Sequence, residues 1–238
     1  MKKIVVLDAG HGLPDLGAIG YLIEYEWTLK IVREVVNRLP DEIKVVLTRI
    51  GRRALHKVKT NDLNTRCAIS NNANADLFVS IHLNAGDGTG YETLVYSPNE
   101  KGNAVHSEIA KTLGKYGVKD RGIKIRTDLA ILKDTKATAL LLECLFLDSE
   151  EDVKKLQNSA FFSDFCQAIV IGISKALGVT VKTTVGEGNR ETPSRIHKKA
   201  VEWARMNSIF DGSDPAEPIT RQQVLQMIYN DNKRKGTL

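Results

Sequence analysis

Four residues of this chain, His11, Glu24, His82 and Glu143, are of types that bind metals or move protons, and each stands where an element begins or ends. His11 lies in Asp8-Ala9-Gly10-His11-Gly12, directly after the apolar run Ile4-Val5-Val6-Leu7. A strand that ends in Gly-His-Gly lifts an imidazole clear of the sheet's carboxyl end, where open α/β sheets place their sites. The flanking glycines let the chain turn tightly and let an ion or substrate approach the backbone. His82 closes the run Asp76-Leu77-Phe78-Val79-Ser80-Ile81, and Glu143 follows Leu140-Leu141-Leu142. Glu24 opens a helical pattern after a glycine-rich loop.

Two histidines and one carboxylate are a common protein set for catalytic zinc, which keeps an open position for water or substrate. Zinc lowers the pKa of its water from about 15.7 to about 7 and polarises a carbonyl at the same time. Hydrolysis of an unactivated amide also needs a group that takes the water's proton and passes it to the leaving nitrogen, a task suited to a free carboxylate. Glu143 is the natural candidate, because a carboxylate between Leu142 and Cys144-Leu145-Phe146 is costly to bury without a task. Each residue also has a plainer reading. His11 could be a turn histidine, His82 a satisfied strand-end histidine, and Glu24 a first-turn glutamate complementing the helix dipole. Coincidence of all four at sheet edges favours the metal. His56, His106 and His197 sit in polar settings and read as surface residues.

The elements that must position these groups alternate between strand and helix patterns. Strands are expected at 4–7, 43–47, 76–81, 91–96 and 139–142, with 129–132 also extended. Helices are expected at 24–39 (stopped by Pro40), 63–72, 102–113, 150–157 and 160–177. In the second of these, Leu63, Cys67 and Ile69 or Ser70 face inward; residues 49–61 are basic and polar and read as a mobile loop, and the glycines at 114, 117 and 122 mark another loop. This alternation argues an α/β fold with a largely parallel central sheet and helices on both faces. Composition shifts at Gly178, so 178–193 reads as a linker and 194–238 as a small helical C-terminal domain with a polar end.

The chain has 238 residues, 42% of them hydrophobic, which is enough for one full core plus a small appendage. A net charge of +5 and a pI near 9.0 suit a polyanionic partner, either nucleic acid or an envelope polymer. No arginine-rich run with interleaved aromatics occurs, which argues against nucleic acid. Cys67, Cys144 and Cys166 are too scattered for a disulfide framework or a thiolate zinc site and read as reduced, buried thiols. The N-terminal apolar run breaks at Asp8, so it reads as a strand and not a signal peptide, and no stretch suits membrane insertion. The expectation is a protein made in the cytoplasm, which something else must release if its target lies outside the cell.

Taken in order, DAGHG at 8–12, DLGAIG at 15–20, EYEWTL at 24–29, ADLFVSIHLNA at 75–85, GYET at 90–93, DRGIK at 120–124, DLAILK at 128–133 and LLECLFLDSEEDVKKL at 141–156 resemble one known pattern. They are similar to the zinc-dependent N-acetylmuramoyl-L-alanine amidases of the amidase-3 type, found in bacterial autolysins and phage endolysins, across residues 1–177. The resemblance implies zinc on His11, Glu24 and His82, Glu143 as the catalytic glutamate and Asn84 in a supporting place near the substrate. It implies hydrolysis of the bond between N-acetylmuramic acid and L-alanine in peptidoglycan. Two departures stand out. Glu24-Tyr25-Glu26 replaces the family's usual Glu-Lys-Asp, which makes Glu26 a rival ligand, although alignment on Leu29 favours Glu24; and Cys144 and Leu145 stand where glycines often follow the catalytic glutamate. Residues 200–228 resemble half of an S-layer-homology repeat, with Trp203, Gly212, Thr220 and Arg221 in matching places. That implies a secondary cell-wall polymer as partner, with packing on the catalytic domain or homo-oligomerisation as the alternative. The competing functions are a catalytically silent wall-binding protein and a zinc deacetylase or carboxypeptidase.

Overall fold

Branched and aliphatic residues dominate the central apolar runs, and in the computed structural model they form the middle of a six-stranded sheet. The structure describes residues 2–180. In chain order the elements are β1 (Lys3–Ala9), α1 (Glu24–Arg38), β2 (Ile43–Leu47), α2 (Lys59–Asn72), β3 (Leu77–Asn84) and β4 (Tyr91–Val95). They continue with α3 (Glu100–Gly114), β5 (Asp120–Ile125), α4 (Ala130–Lys133), β6 (Thr138–Phe146), α5 (Glu150–Gln157) and α6 (Ser159–Ala176). The strand order is β2-β1-β3-β6-β4-β5. Neighbours run parallel except β4 and β6, which are antiparallel.

Alternation along β6 shows how both faces are covered. Leu141 joins one apolar cluster with Val6, Phe78, Cys67 of α2 and Ile131 and Leu132 of α4. Leu140, pointing the other way, packs against Gly102 of α3. A sheet buried on both sides is why β1, β3 and β6 read as nearly continuous apolar runs. Three helices, α3, α5 and α6, start on side-chain caps: Asn99 accepts from Gly102 N, Ser149 from Asp152 N and Asn158 from Phe161 N.

Several expectations need correction. Residues 130–133 form α4, because Leu129 to Leu132 supply a short apolar turn that plugs one sheet face and pairs with no strand. The glycine-marked loop runs into a sixth strand, β5, whose pattern is obscured by a register shift against β4. Residues 49–61 are not a free loop: Arg49 is buried and α2 begins at Lys59. His106 is buried too, its ring stacked on Tyr91 and its Nδ1 3.0 Å from the Thr93 hydroxyl. The three cysteines are free and buried, and no described helix is long and apolar enough to cross a membrane. The expected linker beyond residue 180, the helical domain at 194–238 and His197 lie outside the described residues.

Candidate metal centre

The centre begins where β1 stops. Gly10 N donates to Ile81 O (3.0 Å), and any Cβ at Gly10 would lie 2.4 Å from the His82 ring. His11 then takes a left-handed backbone conformation (φ 61°), which a residue with a Cβ adopts only under external constraint. Two buried arginines supply that constraint. Arg66 donates to Ala9 O (2.8 Å) and His11 O (2.6 Å), and Arg49 donates to Ala9 O (2.8 Å) and Gly10 O (2.9 Å). Both cations must be compensated. Arg66 pairs with Asp8 (2.6 Å) and Asp62 (2.7 Å), and Asp8 also accepts from Thr48 (2.6 Å) and Ser80 (2.5 Å). Burial pushes the Asp8 carboxyl up, but Arg66 and the two hydroxyls outweigh it and hold Asp8 below its usual value.

Glu24, the first residue of α1, is buried between the two imidazoles. Its Oε2 lies 3.1 Å from His11 Nε2 and its Oε1 2.8 Å from His82 Nδ1. Backbone amides of Ala18 (2.8 Å) and Leu83 (3.2 Å) also donate to it. Burial pushes Glu24 up; the hydrogen bonds from His11 and His82 prevail and hold it ionised well below the usual range. Asp15, in the loop after β1, reaches the other nitrogen of His11 (Nδ1 to Oδ2, 2.9 Å) and is itself held by Gly17 N (3.0 Å). Burial lowers the His11 pKa, and Glu24 and Asp15 together raise it above the ordinary value.

One donor atom each from His11, Glu24 and His82 lies within 4.8 Å of the others. Two nitrogens, one ionised carboxylate and a second carboxylate orienting a ring from behind are what a zinc site requires. The donor set therefore fits the ion. Glu26 points elsewhere, with its Oε1 on Tyr25 (2.8 Å) and Arg52 (2.5 Å) at the surface. His56 is exposed. A cleft lined by His11, Asp15, Lys59, His82, Leu129 and Ile131 adjoins the group.

Glu143 and His82 are inside their strands, not at the ends, and they are register partners on adjacent parallel strands. Partners across a sheet share a face, so the carboxyl stands beside His82. Its Oε2 is buried with no hydrogen-bond partner among the described residues, and burial pushes its pKa up to about 7. Just beyond it the register shifts, and Leu145 takes a φ of 70°. A left-handed turn suits glycine, and here it is filled by Leu145, whose side chain is fully buried. The Asn84 side-chain amide directs its N–H hydrogen bond to a carboxylate, not to the histidines. It donates to Glu92 Oε1 (3.1 Å), and Glu92 is the antiparallel partner of Glu143.

Residue-type reasoning did not single out Arg49, Arg66, Asp15 or Glu92. The signal for Arg66 was present in α2, where Asp62, Arg66 and Ser70 repeat every four residues and all three are buried.

With this geometry in view, comparison with known proteins is decisive. The N-acetylmuramoyl-L-alanine amidase family matches residues 5–175. The chain belongs to that family. The amidase is 37% identical over 194 residues to the endolysin of Bacillus phage SPP1, covering 77% of this chain and 69% of that one. It is 32% identical over 192 residues to a sporulation-specific N-acetylmuramoyl-L-alanine amidase of Bacillus subtilis, covering 78% and 72%. Among solved structures, the catalytic domain of the amidase CwlV from Bacillus (Paenibacillus) polymyxa superposes with a TM-score of 0.66 at 30% identity, over 75% of this chain and 99% of that one. The amidase hydrolyses peptidoglycan in the manner of the endolysins and wall amidases it resembles.

Proposed function

We propose that this amidase is a zinc enzyme in which His11, Glu24 and His82 hold the ion and Glu143 is the general base and acid. The observation that carries this reading is the row of side chains across β3 and β6, in which the unpartnered Glu143 carboxyl stands beside a ligand-type histidine. Zinc bound there supplies Lewis acidity to the scissile carbonyl and to the attacking water. Glu143, with a pKa near 7, can accept the water's proton and return it to the departing alanine nitrogen. Asp15 keeps the His11 ring turned with Nε2 toward the site, and Asn84 acts indirectly by steadying Glu92.

The substrate bond is the amide between N-acetylmuramic acid and L-alanine, and the setting is endolysin-type wall lysis. Residues 194–238 are proposed to retain the enzyme on a secondary wall polymer. The decisive experiment is digestion of purified peptidoglycan by chelated and zinc-reloaded protein. New L-alanine amino termini after reloading support the reading. Released acetate or D-alanine, or equal activity after chelation, overturns it. Substituting Glu143→Ala should cut the rate by about 10²–10⁴ while zinc still binds; unchanged lysis would remove Glu143 from the mechanism.

A further inference from the structure

The row of polar side chains does not stop at Glu143. Glu92 on β4 is its register partner, and Arg121 and Lys124 of β5 both reach Glu92 Oε2, at 2.7 and 2.5 Å. Glu92 is buried and held on its other oxygen by Asn84. Burial pushes its carboxyl up, but Lys124 and Arg121 outweigh that and keep it ionised. Two cations therefore share one anion next to the reacting groups.

Arg121 is fixed in a particular way. Its Nε is taken by Glu92, and its guanidinium carbon lies 4.9 Å from the centroid of the Phe146 ring. Phe146 is itself immobilised: Gly88 leaves no space beside its ring, and its backbone N donates to Asp152 (3.0 Å). The two terminal nitrogens of Arg121 make no hydrogen bond among the described residues, and the side chain keeps 27% of its exposure. A stacked, anchored guanidinium with a free outer edge suits bidentate capture of a carboxylate, because its ordering entropy is spent in folding.

We propose that Arg121, assisted by Lys124, forms a subsite for the first free carboxylate of the peptide that leaves with L-alanine, the α-carboxylate of the stem's second residue. The proposal rests on the amidase reading of the neighbouring site. Distance is consistent with it. Arg121 stands two strands from Glu143, roughly 10 Å sideways at the backbone, and its side chain leans back to Glu92 on the strand between, within reach of a second residue's carboxyl about 7 Å from the scissile nitrogen. A carboxamide in that place would keep one accepting oxygen but set its NH2 against a guanidinium donor, losing the second bond and the charge pairing.

The test is equilibrium binding of a synthetic L-alanyl-γ-D-glutamyl peptide to the full chain, with the second residue's α-carboxyl either free or amidated. Wild type is expected to bind the free form at least tenfold more tightly. Arg121→Gln should erase that preference, and Arg121→Lys should not restore it, since an ammonium lacks the planar two-donor edge. Equal affinity of wild type for both peptides, or a preference that survives Arg121→Gln, overturns the proposal. The wild-type comparison stands even if a variant folds poorly. Peptide binding is read without catalysis, so a protein that discriminates the peptides yet releases no L-alanine termini from peptidoglycan would defeat the amidase reading and spare the subsite.

Discussion

At the residue scale, Glu143 carries a cost that pH can reveal. Its pKa is raised to about 7 from an ordinary value of 4.5, so the folded state holds a proton that the unfolded chain releases between those values. Stability of the metal-free protein should therefore fall as pH rises from about 4.5 to 7, by up to about 3 kcal/mol from this group. Glu143→Gln removes the ionisation. Denaturant unfolding of wild type and variant in chelator should show the variant gaining relative stability over that interval; parallel profiles would mean that Glu143 titrates normally. Asp15 offers a second test. Losing the carboxylate behind a ligand histidine typically weakens metal binding about 10–100-fold. Asp15→Ala should do so in a chelator competition, with Asp15→Asn intermediate because its amide oxygen can still accept from Nδ1.

At the element scale, α2 supplies both apolar packing and the cation that shapes the His11 turn. Arg66 is held by two carboxylates and also holds two backbone carbonyls, so its loss leaves Asp8 charged, buried and without its cation. Breaking a buried pair from one side costs about 3–5 kcal/mol. Arg66→Met should lower the unfolding free energy by that amount and weaken zinc binding as well, because the backbone of His11 relaxes. Adding Asp8→Asn should recover part of the stability, as it removes the stranded charge, but not the zinc affinity. Full recovery of both would show that the network does not shape the site. The periodicity of α2 was legible only in part: Leu63 and Cys67 mark its apolar side, while the buried Asp62 and Arg66 look like a solvated face until Arg66's partners on β1, Asp8 and Ala9, are known.

At the scale of the whole molecule, the ion is expected to link sheet, loop and helix. The three proposed donors come from the loop after β1, the start of α1 and the interior of β3, so zinc would bind the folded state and the unfolded chain would not reproduce the site. Free zinc at 100 times its dissociation constant would then add about 2.7 kcal/mol. For a domain of this size that amounts to a rise in Tm of roughly 5–10 °C, reversed by chelator. A Tm indifferent to zinc would contradict three ligands from three elements.

The sequence by itself determined the α/β alternation, the apolar runs of β1, β3 and β6, and the residue types that could bind a metal, because these follow from local periodicity and side-chain chemistry. It also marked Glu143 as out of place among leucines. Only the tertiary structure decided that Glu24 and not Glu26 faces both imidazoles, that Arg49 and Arg66 hold the His11 turn, and that Glu92 and Arg121 continue the row beside Glu143. It also replaced the extended segment expected at 129–132 with the short helix α4 at 130–133, and buried His106 under Tyr91. Those outcomes depend on strand order and register, which bring together residues up to 72 positions apart on neighbouring strands, as with Asp8 and Ser80. Side-chain type is written in the chain one residue at a time, whereas a partner exists only once the sheet has chosen its neighbours.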